Sequence, residues 1–467
     1  MDELTHARAA QGAVLHGHWW PLVLDHKPFY EKPPLMLWLG AATAEISHRP
    51  YATWPYRLWP CLGAGLALSC LVLIGALLDR PGAGLIAAAG LALQGDFIYH
   101  ARFFTFDTLF VACMLGALAL SLRAVERGQP KDWLWAGVAL ALAAAFKSWF
   151  VLSLVPAYAC ALSVHLPRAR RKSVLWVLCW PSLLVMLSWI AVYVQWNGWG
   201  FLSEEWSNNL VGRIRGQNFP LDPDGHAAFY LKWVVRAAPA ILPWALAAPL
   251  LLFKDGTGPE RKGGRSHAFA RTWTGVFCLS WLVGLACVRA ETLNYVLPLE
   301  AGLCLAAGLC FVDRRVGVGR VWIRVALVLA SVLAALRIWD PIWSLASGLV
   351  FGLAWRIAGP ARWVQPGTRQ KAKVLALILG LTLAVLLGRE AWGLLTKPLD
   401  PNRGLAELLL AHPAKRPGES LWFVAKPTQA PYFYSSYRIR QVDVLPAKRP
   451  PEACLVKLKK AWVFFPA

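Results

Sequence analysis

Residues 25–46 read DHKPFYEKPPLMLWLGAATAEI. Pro28, Pro33 and Pro34 fix their own φ and push the residues before them toward extended backbone. Glu31 and Lys32 therefore stand side by side on a stiff, non-helical segment and not on a solvated helix face. Behind them, residues 35–46 run apolar for about a dozen positions, short of the roughly 20 that a spanning helix needs. A helix lying in the membrane interface is expected there. A rigid charged loop at the edge of an apolar body has two readings. Either Lys32 grips a phosphate at the membrane surface, or it anchors the loop to lipid headgroups.

The apolar body fills most of the chain up to about residue 395. Of 467 residues, 57% are hydrophobic and 16% charged, against about 25% charged in soluble domains. The mean hydropathy is +0.45. This is a polytopic membrane protein. About twelve stretches have the composition of spans. They are 56–78, 82–101, 103–122, 133–147, 148–165, 173–194, 238–253, 272–288, 293–312, 321–338, 342–357 and 374–395. Residues 1–10 suit a short helix, which Gly17-His18-Trp19-Trp20-Pro21 breaks. The tail 396–467 is mixed, with a helix expected at 403–411 and strands at 421–425, 438–445 and 461–465. The expected fold class is an all-α bundle of about twelve transmembrane helices. It carries juxtamembrane helices on its outer face and a small C-terminal α/β appendage. Its divisions are a first outer loop (1–55), the bundle with its outer loop 195–237 (56–395), and the tail (396–467).

The formal net charge is +22. Lys and Arg concentrate in the short loops 123–131, 167–172, 254–271, 313–324 and 356–373. With an even number of spans these loops share one face, which the positive-inside rule makes cytoplasmic. The charge has no basic groove or stacking motif beside it, which argues against nucleic acid as a partner. The opposite face receives 1–55, the turns near 102 and 147, the loop 195–237, the turn at 289–291 and the tail. Asp2, Glu31, Lys32, Asp107, Lys147, His226, Arg289 and Tyr295 all map to that face. Ionisable residues in or near a membrane are functional candidates, and their convergence points to one site. Most of the 10 cysteines lie inside apolar runs and act as small hydrophobes. His6, His16, His18 and His26 lack a fixed ligand spacing and are read as surface groups.

The first loop carries a known pattern. Asp2-Glu3, Gly17-His18-Trp19, Pro21 and Tyr30-Glu31-Lys32-Pro33-Pro34-Leu35 resemble the first outer loop of polyprenyl-phosphate-sugar-dependent glycosyltransferases of the GT-C superfamily. The aminoarabinose–lipid A transferases and protein O-mannosyltransferase-like enzymes are the most similar groups. Arg57-Leu58, Ala101-Arg102 with Thr105-Phe106-Asp107, Phe146-Lys147, and Tyr295-Val296-Leu297-Pro298 fit the same pattern. So do Asn209, Arg213, His226, Phe229-Tyr230 and Leu242-Pro243-Trp244. The resemblance is good over 1–298 and only topological beyond. Three positions depart from the pattern. Thr5 stands where the family often has Arg, Ser148-Trp149 follow Lys147 in place of Gly-Pro, and Glu291-Thr292-Leu293-Asn294 replace the basic residue often found just before Tyr295.

The resemblance implies an integral-membrane enzyme of the bacterial inner membrane with its site facing the periplasm. It would transfer a sugar from a polyprenyl phosphate to lipid A, another envelope glycan or a protein, by an inverting single displacement, as a monomer among membrane lipids. Lys32, Lys147, Tyr295 and Arg213 would bind the donor phosphate. Asp2 or Asp107 would act as base or hold the acceptor. Glu31 and His226 would share a divalent ion, zinc or magnesium. From the residues alone, Asp2 also reads as a helix N-cap, Asp107 as a partner of Arg102, and Lys32 as a partner of Glu31. The rival class is a transporter or lipid flippase. Such proteins place charges near the midplane of repeated halves, whereas here they cluster at one face. In the family a preceding span delivers the first loop, and Met1 stands directly before it here. A transmembrane helix upstream is therefore expected.

Overall fold

The computed structural model describes residues 2–24, 27–29, 32–92, 94–200, 211–212, 264–287, 295–312, 420–424, 438–442, 453–457 and 462–466. Helix α1 (Asp2–His16) is followed by a two-residue antiparallel hairpin, β1 (Val23–Leu24) and β2 (Lys27–Pro28). Helix α2 runs Leu35–Ile46, with Pro34 as its N-cap, so the apolar segment behind the charged loop is the short helix its length implied. The expected spans 238–253, 321–338, 342–357 and 374–395, most of the loop 195–237, and the tail helix 403–411 lie outside the described residues.

Helix α3 (Trp54–Leu77) starts with Pro55 in its first turn, where the missing N–H costs nothing. The single span expected at 82–101 is two helices, α4 (Pro81–Ala92) and α5 (Gly95–Arg102), bent by 71°. Gln94 causes the break locally. Its backbone is extended at ψ 128°, and its buried side-chain amide donates to the Gly90 carbonyl, closing the open end of α4. Helix α6 (Asp107–Arg127) begins four residues later than the sequence suggested and ends on Gly128 at φ +67°, the left-handed C-terminal stop that glycine adopts without strain. Helix α7 (Pro130–Lys147) leads into a 3₁₀ segment (Ser148–Leu154), then α8 (Val155–His165) and α9 (Arg168–Asn197). After these come α10 (Gly264–Cys287) and α11 (Leu297–Val312).

Among the described residues five stretches are long and apolar enough to cross a bilayer, or six if the bent pair α4–α5 is counted as one span. One of the five, Pro130–His165, folds back on itself. Trp133 near its start and His165 at its end both lie 6.2 Å, centroid to centroid, from the ring of Phe269. The reversal falls at Ser148, with φ +43°, where a turn was expected.

Side-chain contacts define the two ends of this bundle. At one end Ser266 donates to Glu126 at 3.3 Å, His165 Nε2 and Thr272 Oγ1 lie 2.9 Å apart, and Arg123 pairs with Asp132 at 3.2 Å. The basic loops 123–131 and 167–172 belong there. At the other end Lys147 meets Asp107, and the Trp281 indole donates to the Tyr295 carbonyl at 2.7 Å. Within the described residues, Asp107, Lys147 and Tyr295 thus share the end of the bundle away from the loops 123–131 and 167–172.

In the tail, β3 (Ser420–Val424), β4 (Arg438–Val442), β5 (Ala453–Lys457) and β6 (Trp462–Pro466) form one sheet in the order β4-β3-β6-β5. Only β3 and β4 are parallel. Strand β5 had no counterpart in the sequence reading.

Helices α3 and α4 touch through glycine. A Cβ on Gly84 would stand 2.5 Å from the Leu71 carbonyl oxygen, and one on Gly75 2.5 Å from the Gly84 nitrogen. Small residues let membrane helices approach this closely. Gly84→Leu should therefore destabilise the protein by about 1–3 kcal/mol. Gly65→Leu, on α3 at a position with nothing within 4 Å, should not. Thermal unfolding of both variants in detergent checks this, and equal midpoints would refute the close crossing.

Candidate active site

Helix α1 packs its Leu4, Ala7, Ala10 and Ala13 face into the core together with Met36, Leu37 and Phe104. That packing brings Glu3 inside. Its Oε1 accepts from Arg57 Nε and from the Phe104 backbone N–H, each at 2.8 Å, and its Oε2 accepts from Arg57 Nη2 at 3.1 Å. Arg57 is fully buried and also lies over the Phe103 ring at 5.1 Å. The N–H that Glu3 satisfies belongs to 103–106, which is not helical. This explains why α6 starts late: the backbone before Asp107 is tied to another element and not to its own helix.

Asp107 is the first residue of α6 and Lys147 the last of α7. Their side chains, 3% and 5% exposed, form an ion pair through Asp107 Oδ1 and Lys147 Nζ. The other carboxyl oxygen, Oδ2, lies 3.3 Å from His100 Nδ1. A buried charge is tolerated only when paired, and Asp107 has a cationic or donor group on each oxygen. The ammonium of Lys147 also sits 4.5 Å from the Phe150 ring centre and 5.5 Å from that of Tyr295. Such cation–π contacts strengthen when water is excluded. Lys32 is close enough for its charge to act on Asp107.

The loop that carries Lys32 is held on both sides. Tyr193 on α9 donates its hydroxyl to the Phe29 carbonyl at 3.0 Å, and Trp38 on α2 donates its indole N–H to the Trp19 carbonyl at 3.0 Å. Below it, His6 is buried, with its ring edge-on to Phe106 at 4.6 Å and to Phe29 at 6.0 Å. This corrects its reading as a surface group. His6 lies one helical turn from Glu3, so the clamp that draws Glu3 inward draws His6 with it. His16 and His18 are exposed.

Of the residues singled out in the sequence, the structure brings together Asp107, Lys147 and Tyr295, with Lys32 within electrostatic reach of Asp107. Asp2 opens α1, but its side chain, like Glu31, Arg213, His226 and Arg289, lies outside the described residues. Asp107 is held by Lys147 and His100, neither of which was foreseen as its partner. Among the described residues no group of three or more His, Cys, Asp or Glu is arranged to hold a metal ion. His100 was missed. The available signal was a titratable residue inside an apolar run, seven positions before Asp107.

The sequence model of a family described as dolichyl-phosphate-mannose-protein mannosyltransferase matches residues 31–196. No curated protein matches the chain. Among solved structures, ArnT from Cupriavidus metallidurans bound to undecaprenyl phosphate has a TM-score of 0.65 at 17% identity, covering 94% of this chain and 81% of that one. The apo form of that protein has a TM-score of 0.62 at 18% identity, covering 94% of this chain and 80% of that one. Identity of this size carries the fold.

The clamp makes a stability prediction. Removing one partner of a buried ion pair costs about 3–5 kcal/mol, because the other charge stays buried. Glu3→Ala and Arg57→Ala should each lower the unfolding midpoint sharply, and the double variant should lose well under the sum. Additive losses in this double-mutant cycle would show that the two residues act independently.

Proposed function

We propose that this chain, a GT-C glycosyltransferase by fold and by its family segment, moves a sugar from a polyprenyl-phosphate donor to an acceptor at the outer face of the bacterial inner membrane. The observation that carries this reading is the buried Asp107–Lys147 pair, within electrostatic reach of Lys32, at the end of the bundle opposite the basic loops. The neighbour bound to undecaprenyl phosphate and the family named for a dolichyl-phosphate sugar support the donor class. The acceptor class is lipid A or lipopolysaccharide, another envelope glycan, or a protein. The reading includes about twelve spans, with the first loop, the loop 195–237 and the tail on the outer side.

The reaction is a single displacement. The acceptor's nucleophilic atom bonds to the anomeric carbon as the bond from that carbon to the phosphate oxygen breaks, and the electron pair leaves with the polyprenyl phosphate. The phosphate gains negative charge where water is scarce, so a preorganised cation is worth most there. Lys147 has its charge balanced by Asp107 and fixes the floor of the site. Lys32, on its proline-stiffened loop, meets the leaving phosphate as a point charge, with Arg213 and the Tyr295 hydroxyl as further contacts. Asp2 takes the proton of an acceptor hydroxyl. If the acceptor is a phosphate no deprotonation is needed, and Asp2 positions it instead. A zinc or magnesium ion between Glu31 and His226 would tie the first loop to the long loop.

Transfer of a radiolabelled sugar in membranes tests the reading. Lys32→Ala and Asp107→Asn should each abolish transfer at normal protein level. Retention of more than about a tenth of wild-type activity by both, roughly 1.4 kcal/mol of barrier, would remove them from the chemistry. In the same assay EDTA should lower transfer and added zinc or magnesium should restore it. Indifference to EDTA would remove the metal tether while leaving the donor chemistry intact.

A further inference from the structure

His100 is buried on α5, at 6% exposure, and the transfer chemistry above gives it no task. Its Nδ1 is hydrogen-bonded to Thr105 Oγ1 at 3.2 Å and lies at ion-pair distance, 3.3 Å, from Asp107 Oδ2. The single hydroxyl hydrogen of Thr105 is committed elsewhere, since Thr105 donates it to the His100 backbone carbonyl at 3.3 Å. Asp107 is a carboxylate, because its other oxygen takes the Lys147 ammonium. Both oxygens facing Nδ1 are therefore acceptors, and Nδ1 must carry a hydrogen. The neutral ring is then the Nδ1–H tautomer, and Nε2 is the atom that gains or loses a proton. Protonation at Nε2 leaves the Nδ1–H contacts in place. The ring can change charge without changing how it holds Asp107.

We propose that His100 is a positioning residue of the site. Its ring, hydrogen-bonded to Thr105 and at ion-pair distance from Asp107 Oδ2, holds that carboxylate in place electrostatically opposite Lys147, and its charge state sets the net charge that the cluster offers to an anionic phosphate. The charged groups acting on the ring are Asp107 from α6, Lys147 from α7 and Asp96 from its own helix. Asp96 in turn hydrogen-bonds Glu300 from α11. Arg57, at the start of α3, is engaged by Glu3. Asp107 and Lys147 cancel, so the three-residue cluster is neutral with imidazole and carries one positive charge with imidazolium. A phosphate monoester therefore binds more tightly below the titration of His100 and more weakly above it.

This inference rests on the proposed donor class, and the experiment separates the two. Binding of undecaprenyl phosphate to the purified full chain in detergent is measured from pH 5.5 to 8.5 for wild type, His100→Asn and His100→Ala. Asparagine places an amide N–H where Nδ1 stands but does not titrate. The ratio of wild-type to His100→Asn affinity should fall as pH rises, by up to about tenfold, the size expected for one charge several ångströms away inside a protein. Taking the ratio at each pH cancels the titration of the phosphate itself. His100→Asn should match the alkaline wild-type affinity within about twofold, and His100→Ala should bind more weakly than His100→Asn throughout. A ratio that does not change with pH overturns the charge role, and equal affinities of the Asn and Ala variants overturn the positioning role. If wild type binds no polyprenyl phosphate at any pH, the donor reading fails and this one fails with it.

Discussion

The Glu3 carboxylate is the point on which the described structure turns. It holds the guanidinium of Arg57, 54 residues away, and the backbone N–H of Phe104, 101 residues away. A largely buried carboxylate with three donors is costly to form and more costly to disrupt. In one interaction it closes α1 onto the bundle, fixes the start of α3, and holds open the non-helical approach to α6. Without it, the N–H of Phe104 would need another partner, and extending α6 backwards by a turn is the obvious one. That extension would change the direction in which Asp107 leaves the backbone.

The same logic of paired burial governs the site. Asp107 and Lys147 come from opposite chain directions, the first residue of one helix and the last of another. Helix termini suit this, since the acid sits at the positive end of α6 and the base at the negative end of α7. The rings of Phe150, Phe110 and Tyr295 around the ammonium exclude water and leave Asp107 as its main compensation. A site built this way is rigid at its floor, and adaptation to donor and acceptor falls to the loops above.

Much of this was legible in the sequence because it depends on composition and local rules. The short helix behind Pro33-Pro34, the reversal after Lys147 and the shared end of Asp107, Lys147 and Tyr295 follow from apolar length, charge sorting and motif spacing. What was not legible depends on tertiary partners. The 71° bend between α4 and α5 has no proline. It rests on Gln94, whose amide closes α4 from within the fold. The late start of α6 rests on Glu3, 101 positions before the N–H it binds. His6 and His100 resemble solvated histidines until the elements that cover them are in place. Strand β5 has an apolar centre flanked by lysines and proline, and only its antiparallel pairing with β6 makes it a strand.

The bond from Tyr193 to the carbonyl of Phe29 joins the proline-stiffened loop to α9, a helix of 30 residues. Its apolar part, 173–194, is close to the roughly 20 residues needed to cross the hydrocarbon, so a thinner bilayer makes the helix tilt. Tyr193 sits four residues from the end of α9, where a given tilt produces the largest sideways and vertical travel. Phe29 must follow, and Lys32 is three residues further along a stiff backbone. The depth of that ammonium relative to the lipid surface is thus coupled to the thickness of the surrounding membrane. Acyl-chain length in the host membrane becomes a physical input to the site, acting through a lever.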